Sequence, residues 1–166
     1  EPFMLMVIGE GNYGKSTLIN SLFNKQVAPT SRLPKTWKID IYENSIKDEA
    51  LLFYKNINTP QKVSIEEAIL ICEKEENKVK NSNDWKSDLF QVRWRFKTDW
   101  IENILLIDTP GFSQFRSNST YDNFNLFGTK GIQLQSFDGF EYYFYRADFV
   151  FWCIKATKLE DADTLN

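Results

Sequence analysis

One short pattern constrains this chain more than any other: Gly9-Glu10-Gly11-Asn12-Tyr13-Gly14-Lys15-Ser16 fills G-x-x-x-x-G-K-[ST] completely. It lies between the apolar run Phe3 to Ile8 and the stretch Ser16 to Phe23, where Leu18, Ile19, Leu22 and Phe23 recur at helical spacing. A continuous apolar run closed by glycine suits a strand buried on both faces of a parallel sheet. Strand, glycine-rich loop and amphipathic helix, in that order, make a phosphate cradle. Glycines let backbone N–H groups converge on an anion, the helix N-terminus adds its dipole, and Lys15 brings a point charge for the β- and γ-phosphates. Ser16 would set its hydroxyl on Mg²⁺. The nucleotide-binding set read from the pattern is Gly9, Gly11, Asn12, Tyr13, Gly14, Lys15, Ser16 and Thr17, with the side chains of Glu10 and Tyr13 as loop fillers.

Composition removes competing chemistries. The 166 residues contain no histidine, which excludes a Ser/His/Asp triad, a Cys/His pair and any histidine metal site. Cys72 and Cys153 are far apart in sequence, which rules out zinc clusters and C-x-x-C redox chemistry and fits a reducing, cytoplasmic compartment; a single disulfide between them stays open. A net charge of -3 gives no general electrostatic reason to bind nucleic acid or an anionic membrane. No apolar stretch approaches the roughly 20 residues that span a bilayer, and the first residues lack the features of a signal peptide. With 42% hydrophobic residues, no repeat and no linker-like stretch, the chain reads as one domain or part of one.

The remaining pattern alternates strands and helices. Trp37 to Tyr42 alternates as a half-buried strand, Ala50 to Tyr54 is another strand, and Leu89 to Phe96 a third. Ser64 with Glu67 forms a capping-box pattern ahead of a helix near residues 65–80. Ile104 to Ile107 is a buried run, a helix is expected over roughly 132–146, and Phe149 to Ile154 is a last strand. Arg93-Trp94-Arg95-Phe96-Lys97 mixes cations and rings, but alternation places Val92, Trp94 and Phe96 in the core and the cations on the other side. The fold class expected is α/β, three layers around a mostly parallel sheet.

Asp108-Thr109-Pro110-Gly111 puts a carboxylate at the carboxyl end of a buried strand, where open α/β sheets bind ligands. Beside the glycine-rich loop this D-x-x-G supplies what phosphoryl transfer needs: a carboxylate for the Mg²⁺ shell and a glycine amide, that of Gly111, for the γ-phosphate. The pair resembles the translation-factor-like P-loop GTPases, and in detail it is similar to bacterial members of the dynamin superfamily. That resemblance implies a P-loop NTPase fold, GTP as substrate, Mg²⁺ as cofactor, a homodimer or a related GTPase across the nucleotide face, and a peripheral membrane role in remodelling or tethering. It implies a switch-loop threonine serving Mg²⁺ and the attacking water. Thr36, seven residues after Pro29 and just before the strand at Trp37, fits, with Thr30 and Ser31 as competitors. The metal set is then Ser16, Thr36 and Asp108, and the catalytic set Lys15, Thr36, Gly111 and Asn12. Asp148 resembles the acidic residue that precedes the next core strand in the family and is read as structural.

The usual catalytic side chains are absent. Phe112 follows the D-x-x-G glycine where small GTPases carry glutamine, and Gly11 stands where many eukaryotic dynamins carry theirs. Asn12, three residues before Lys15, resembles the asparagine of GTPases that bind K⁺ beside the phosphates. Arg32 and Arg116 are switch-region cations, read as solvated surface groups with an arginine finger in cis or trans as the alternative.

No complete [NT]-K-x-D guanine motif occurs: Thr129-Lys130-Gly131-Ile132 and Thr157-Lys158-Leu159-Glu160 both lack the aspartate. Guanine preference therefore rests on the resemblance. An Era-like GTPase in ribosome assembly and a nucleotide-binding switch or scaffold with negligible hydrolysis remain as alternatives. Lys15 and Asp108 are farther apart than in small GTPases, so a strand-and-helix insertion is expected over about 44–99. The stretch 1–166 then reads as the amino-terminal part of a GTPase domain, incomplete at its C-terminal side.

Overall fold

The computed structural model of the protein describes residues 1–9, 13–28, 38–81, 87–98, 102–109 and 140–154. Among them the order is β1 (Phe3–Gly9), α1 (Lys15–Phe23), β2 (Ile39–Asn44), β3 (Glu49–Tyr54), β4 (Gln61–Val63), α2 (Ile65–Asn81), β5 (Leu89–Phe96), β6 (Ile104–Asp108), α3 (Phe140–Phe144) and β7 (Phe149–Cys153). The strands form one sheet in the order β4-β3-β5-β2-β6-β1-β7.

The expected mostly parallel sheet is mixed instead. β1 runs parallel to β6 and β7, and β2 parallel to β5, whereas β2–β6, β3–β4 and β3–β5 are antiparallel. Parallel neighbours require a crossover, and α2 lies in the stretch that carries the chain from β2 towards β5; β3 and β4 are joined by a hairpin-length connection and pair head to tail. β4 was not legible beforehand, because three residues of which two are polar show no periodicity.

Strand alternation divides the core in two. On one face Val7, Tyr42, Val92, Trp94 and Leu106 meet Ile19 and Phe23 of α1 and Ala68 of α2. On the other, Met6, Ile8, Ile39, Ile41, Leu105 and Ile107 meet Tyr143 of α3. Fully burying each such aliphatic or aromatic side chain is favourable by roughly 1.5–3 kcal/mol, so the central strands anchor the fold. As the alternation predicts, Val92, Trp94 and Phe96 are buried. Arg95, on the opposite side of β5, pairs with Glu43 and Glu49 rather than simply facing water.

Local signals set the helix ends. The Glu67 N–H donates to Ser64 Oγ at 3.1 Å, completing the near half of the capping box ahead of α2. Asn24 closes α1 in the left-handed region (φ 47), a conformation that asparagine tolerates. Asp148 clasps the start of β1: its carboxylate accepts from Met4 N–H at 2.8 Å and its own N–H donates to the Met4 carbonyl at 2.9 Å. α3 covers 140–144 of the helix expected over 132–146 and gives way to a turn at 145–146; residues 132–139 lie outside the described residues. Cys72 and Cys153 are both free thiols, so the disulfide left open by sequence does not form.

Candidate nucleotide site

Three parallel strands, β6, β1 and β7, end together at one edge of the sheet. Val7 is in register with Asp108, and Gly9 with Cys153. α1 starts beyond that edge, with Lys15, Ser16 and Thr17 in its first turn. Glycine is required at both described corners of the loop. Gly9 has φ 148, and a β-carbon there would collide with the Cys153 carbonyl oxygen; Gly14 has φ 91, in the region L side chains avoid.

Lys15 is buried and its Nζ donates to the Gly9 carbonyl at 3.1 Å. Burial pulls its pKa below the usual lysine value, while Asp108 and Cys153 act in the opposite sense. Ser16 is half-buried and Thr17 exposed at the mouth of the helix; Tyr13 is half-buried and Gly14 exposed.

Asp108 is 3% exposed, and its Oδ1 has no hydrogen-bond partner among the described residues. Burial, and after it the charge of Asp40, pushes its pKa up to about 7 against the pull of Lys15, Lys38 and the Thr109 N–H. Thr109 holds the strand end in place by donating Oγ1–H and N–H to the Val7 carbonyl at 3.1 and 3.4 Å. An orphaned, buried carboxylate oxygen beside a lysine and a helix N-terminus fits a hard cation with oxygen ligands such as Mg²⁺, with Ser16 and Asp108 as the described residues that could hold it.

The structure thus brings Gly9, Tyr13, Gly14, Lys15, Ser16, Thr17 and Asp108 to one edge. Gly11, Asn12, Thr36 and Gly111, together with Pro29, Thr30, Ser31, Arg32, Phe112 and Arg116, lie outside the described residues. Sequence reading missed a neighbouring polar group: Lys38 pairs with Asp40, and Trp94 Nε1 donates to the same Asp40 oxygen at 2.7 Å. Polar residues two apart at the start of β2 were the available signal.

The sequence profile described as the dynamin family matches residues 5–159. The chain belongs to the dynamin family. A curated relative from Caldicellulosiruptor sp. (strain Rt8B.4), described as an uncharacterized protein in the xynA 3' region, is 28% identical over 120 residues, covering 71% of this chain and 28% of that protein. Two solved structures are also similar, both described as an oligomerised bacterial dynamin pair that provides a mechanism for long-range sensing and tethering of membranes. One is 17% identical with a TM-score of 0.48, over 67% of this chain and 16% of the other. The second is 16% identical with a TM-score of 0.47, over 68% and 16%. This dynamin-family chain therefore spans less than a third of the curated relative. No helix among the described residues is long and apolar enough to cross a membrane.

Proposed function

We propose that this dynamin-family chain binds GTP with Mg²⁺ and hydrolyses it to GDP and phosphate, in a protein whose other parts remodel or tether membranes. The observation that carries the reading is the buried Asp108 carboxylate, with Oδ1 unpartnered among the described residues, at the strand edge where Lys15 and the N-terminus of α1 converge. Lys15 would neutralise the β- and γ-phosphates, and the loop amides from Gly9 to Thr17 would hold the phosphate chain. Ser16, Thr36 and Asp108 would hold Mg²⁺, which would neutralise negative charge on the β- and γ-phosphates. Thr36 would orient the attacking water and the Gly111 amide would meet the γ-phosphate. Asn12 would ligate K⁺ in the place of an arginine finger, in a homodimer or a pair with a related GTPase closed across the nucleotide face.

Within this reading residues 44–99, which carry β3, β4, α2 and β5, are an insertion between the switch threonine and D-x-x-G. Family membership supports guanine over adenine, and membrane tethering is what the similar bacterial dynamin structures are described as doing.

The deciding experiment measures binding and turnover of GTP and of ATP with Mg²⁺, beside Lys15→Ala, in KCl and in NaCl. GTP-selective, Mg²⁺-dependent turnover that is lost in the variant is expected, and it should be faster in KCl. Equal binding by parent and variant would sink the phosphate-site reading. Equal rates in the two salts would remove the K⁺ role, and tight binding without turnover would turn the reading to a switch or scaffold.

A further inference from the structure

Just beyond Thr36, the start of β2 holds a buried polar unit that the phosphate chemistry leaves unused. Lys38 stands immediately ahead of β2 and Asp40 is its second residue, and their charged groups form an ion pair. They are 6% and 5% exposed. Trp94 of β5 donates its indole N–H to Asp40 Oδ1, and the Lys38 ammonium stands 5.8 Å from the centre of the same indole. Asp40 is also the cross-strand partner of Asp108 in the antiparallel β2–β6 pair.

Residues directly opposite in such a pair have side chains about 4.5–5.5 Å apart at Cβ and lie on the same face. Two carboxylates therefore share one buried patch. Core packing does not account for this arrangement. A buried ion pair is generally no more stable than well-packed apolar residues of similar volume, and like charges placed opposite each other are unfavourable. A valine at position 40 would need neither the lysine nor the indole donor. The arrangement has a use only if negative potential beside Asp108 is wanted and has to be held at a set level.

We propose that Lys38, Asp40 and Trp94 form a positioning unit for the Mg²⁺-binding carboxylate, in which Asp40 raises and Lys38 lowers the cation affinity of the Asp108 site. This inference rests on the nucleotide-hydrolase reading above. Trp94 fixes the carboxylate of Asp40, so β5 gains a hold on the metal site through Asp40. Because β2 continues from the Thr36 segment, the unit also ties the strand after the switch threonine to the D-x-x-G strand.

The two charges act with opposite sign, and that separates the unit from a packing element. The test uses the full chain, a fluorescent GDP analogue titrated over a Mg²⁺ series, Mn²⁺ binding followed by electron paramagnetic resonance, and thermal melting. Asp40→Asn should raise the half-saturating Mg²⁺ and the Mn²⁺ dissociation constant about 3- to 10-fold, and Lys38→Met should lower both by about 3-fold, as expected for one partly screened charge nearby. Should Lys38→Met fail to fold, Lys38→Met/Asp40→Leu supplies the charge-neutral arm and should return to within about 2-fold of the parent. Shifts of both single variants in the same direction, or a double variant as impaired as Asp40→Asn, would overturn the inference and leave a packing element. A parent that binds the analogue equally well in a chelator would instead sink the metal-site reading itself.

Discussion

The ammonium of Lys15 donates a 3.1 Å hydrogen bond to the carbonyl of Gly9, six residues back. The lysine at the head of α1 thereby closes the loop onto the residue that ends β1. The bond keeps a buried cation at the mouth of the site, although burial disfavours its charge. The chain holds this cation at a cost to its own stability, which is expected of a group whose favourable interaction is made with a ligand.

Replacing Lys15 by methionine should therefore separate binding from stability. The unbranched stem is preserved and the charge removed. Nucleotide affinity should fall about 10- to 100-fold, the equivalent of one or two charge-assisted hydrogen bonds. The melting temperature of the free chain should stay level or rise. Fluorescent-nucleotide titration and thermal melting check the two halves, and a variant that melts earlier while binding normally contradicts both.

Asp108 predicts a pH dependence of the metal-free chain. Its pKa is raised to about 7, by burial first and by Asp40 next, so the folded state holds a proton that the unfolded state has already released. Stability from this group is present below the ordinary carboxylate pKa of about 4 and is lost as pH rises to about 7. Asp108→Asn removes that slope. Denaturant unfolding in a chelator should find the variant more stable than the parent at pH 8, on the order of 4 kcal/mol for a pKa raised from about 4 to about 7, with little difference at pH 4. Mg²⁺-dependent nucleotide binding should disappear with it.

Much of the site was legible because its parts are local. G-x-x-x-x-G-K-S dictates strand, loop and helix within one stretch, and Ile104 to Asp108 delivers its carboxylate by simple strand length. The sheet was less legible. Its pairing is decided by which strands meet across long separations, so the antiparallel β2–β6 and β3–β5 contacts, and the short β4, have no signature in any one window. The burial of the Lys38–Asp40–Trp94 group was hidden for the same reason. A lysine and an aspartate alternating with isoleucines look like a solvated strand face until β5 and α2 are laid against them. Arg93 and Arg95 show the converse: the alternation was readable, but their carboxylate partners on β2 and β3 were not.

The two described glycines of the loop should respond unequally to alanine. At Gly14 nothing among the described residues lies within 4 Å of an added β-carbon, so Gly14→Ala bears only the left-handed backbone penalty, about 1 kcal/mol, or about 2–4 °C in a domain of this size. At Gly9 the same substitution also drives a β-carbon into the backbone of β7. Gly9→Ala should lower the melting temperature at least twice as far, and hydrogen exchange should show β7 amides opening first. Equal shifts for the two variants would mean that β7 yields without cost.

Asn20 is the last test, because it links α1 to the approach to the Thr36 segment. Its Oδ1 accepts from the N–H groups of Val27 and Ala28 at 2.8 and 2.7 Å, and its Nδ2 donates to the Ala28 carbonyl at 2.8 Å. One side chain thus satisfies three backbone groups around residue 28, which is itself buried. Asn20→Ala leaves all three without that partner and should cost about 2–3 kcal/mol at roughly 1 kcal/mol each. Asn20→Asp keeps the double acceptor but sets a carboxylate oxygen against the Ala28 carbonyl, so its stability should fall between those of the parent and the alanine variant. If residues 27–28 set the position from which the chain proceeds to Thr36, the turnover of GTP should fall several-fold in Asn20→Ala while nucleotide affinity, made by the loop and Lys15, changes little. Melting curves, binding titrations and single-turnover rates on the three proteins measure this directly. Affinity falling in step with turnover would mean that Asn20 supports α1 and the phosphate loop rather than the switch segment.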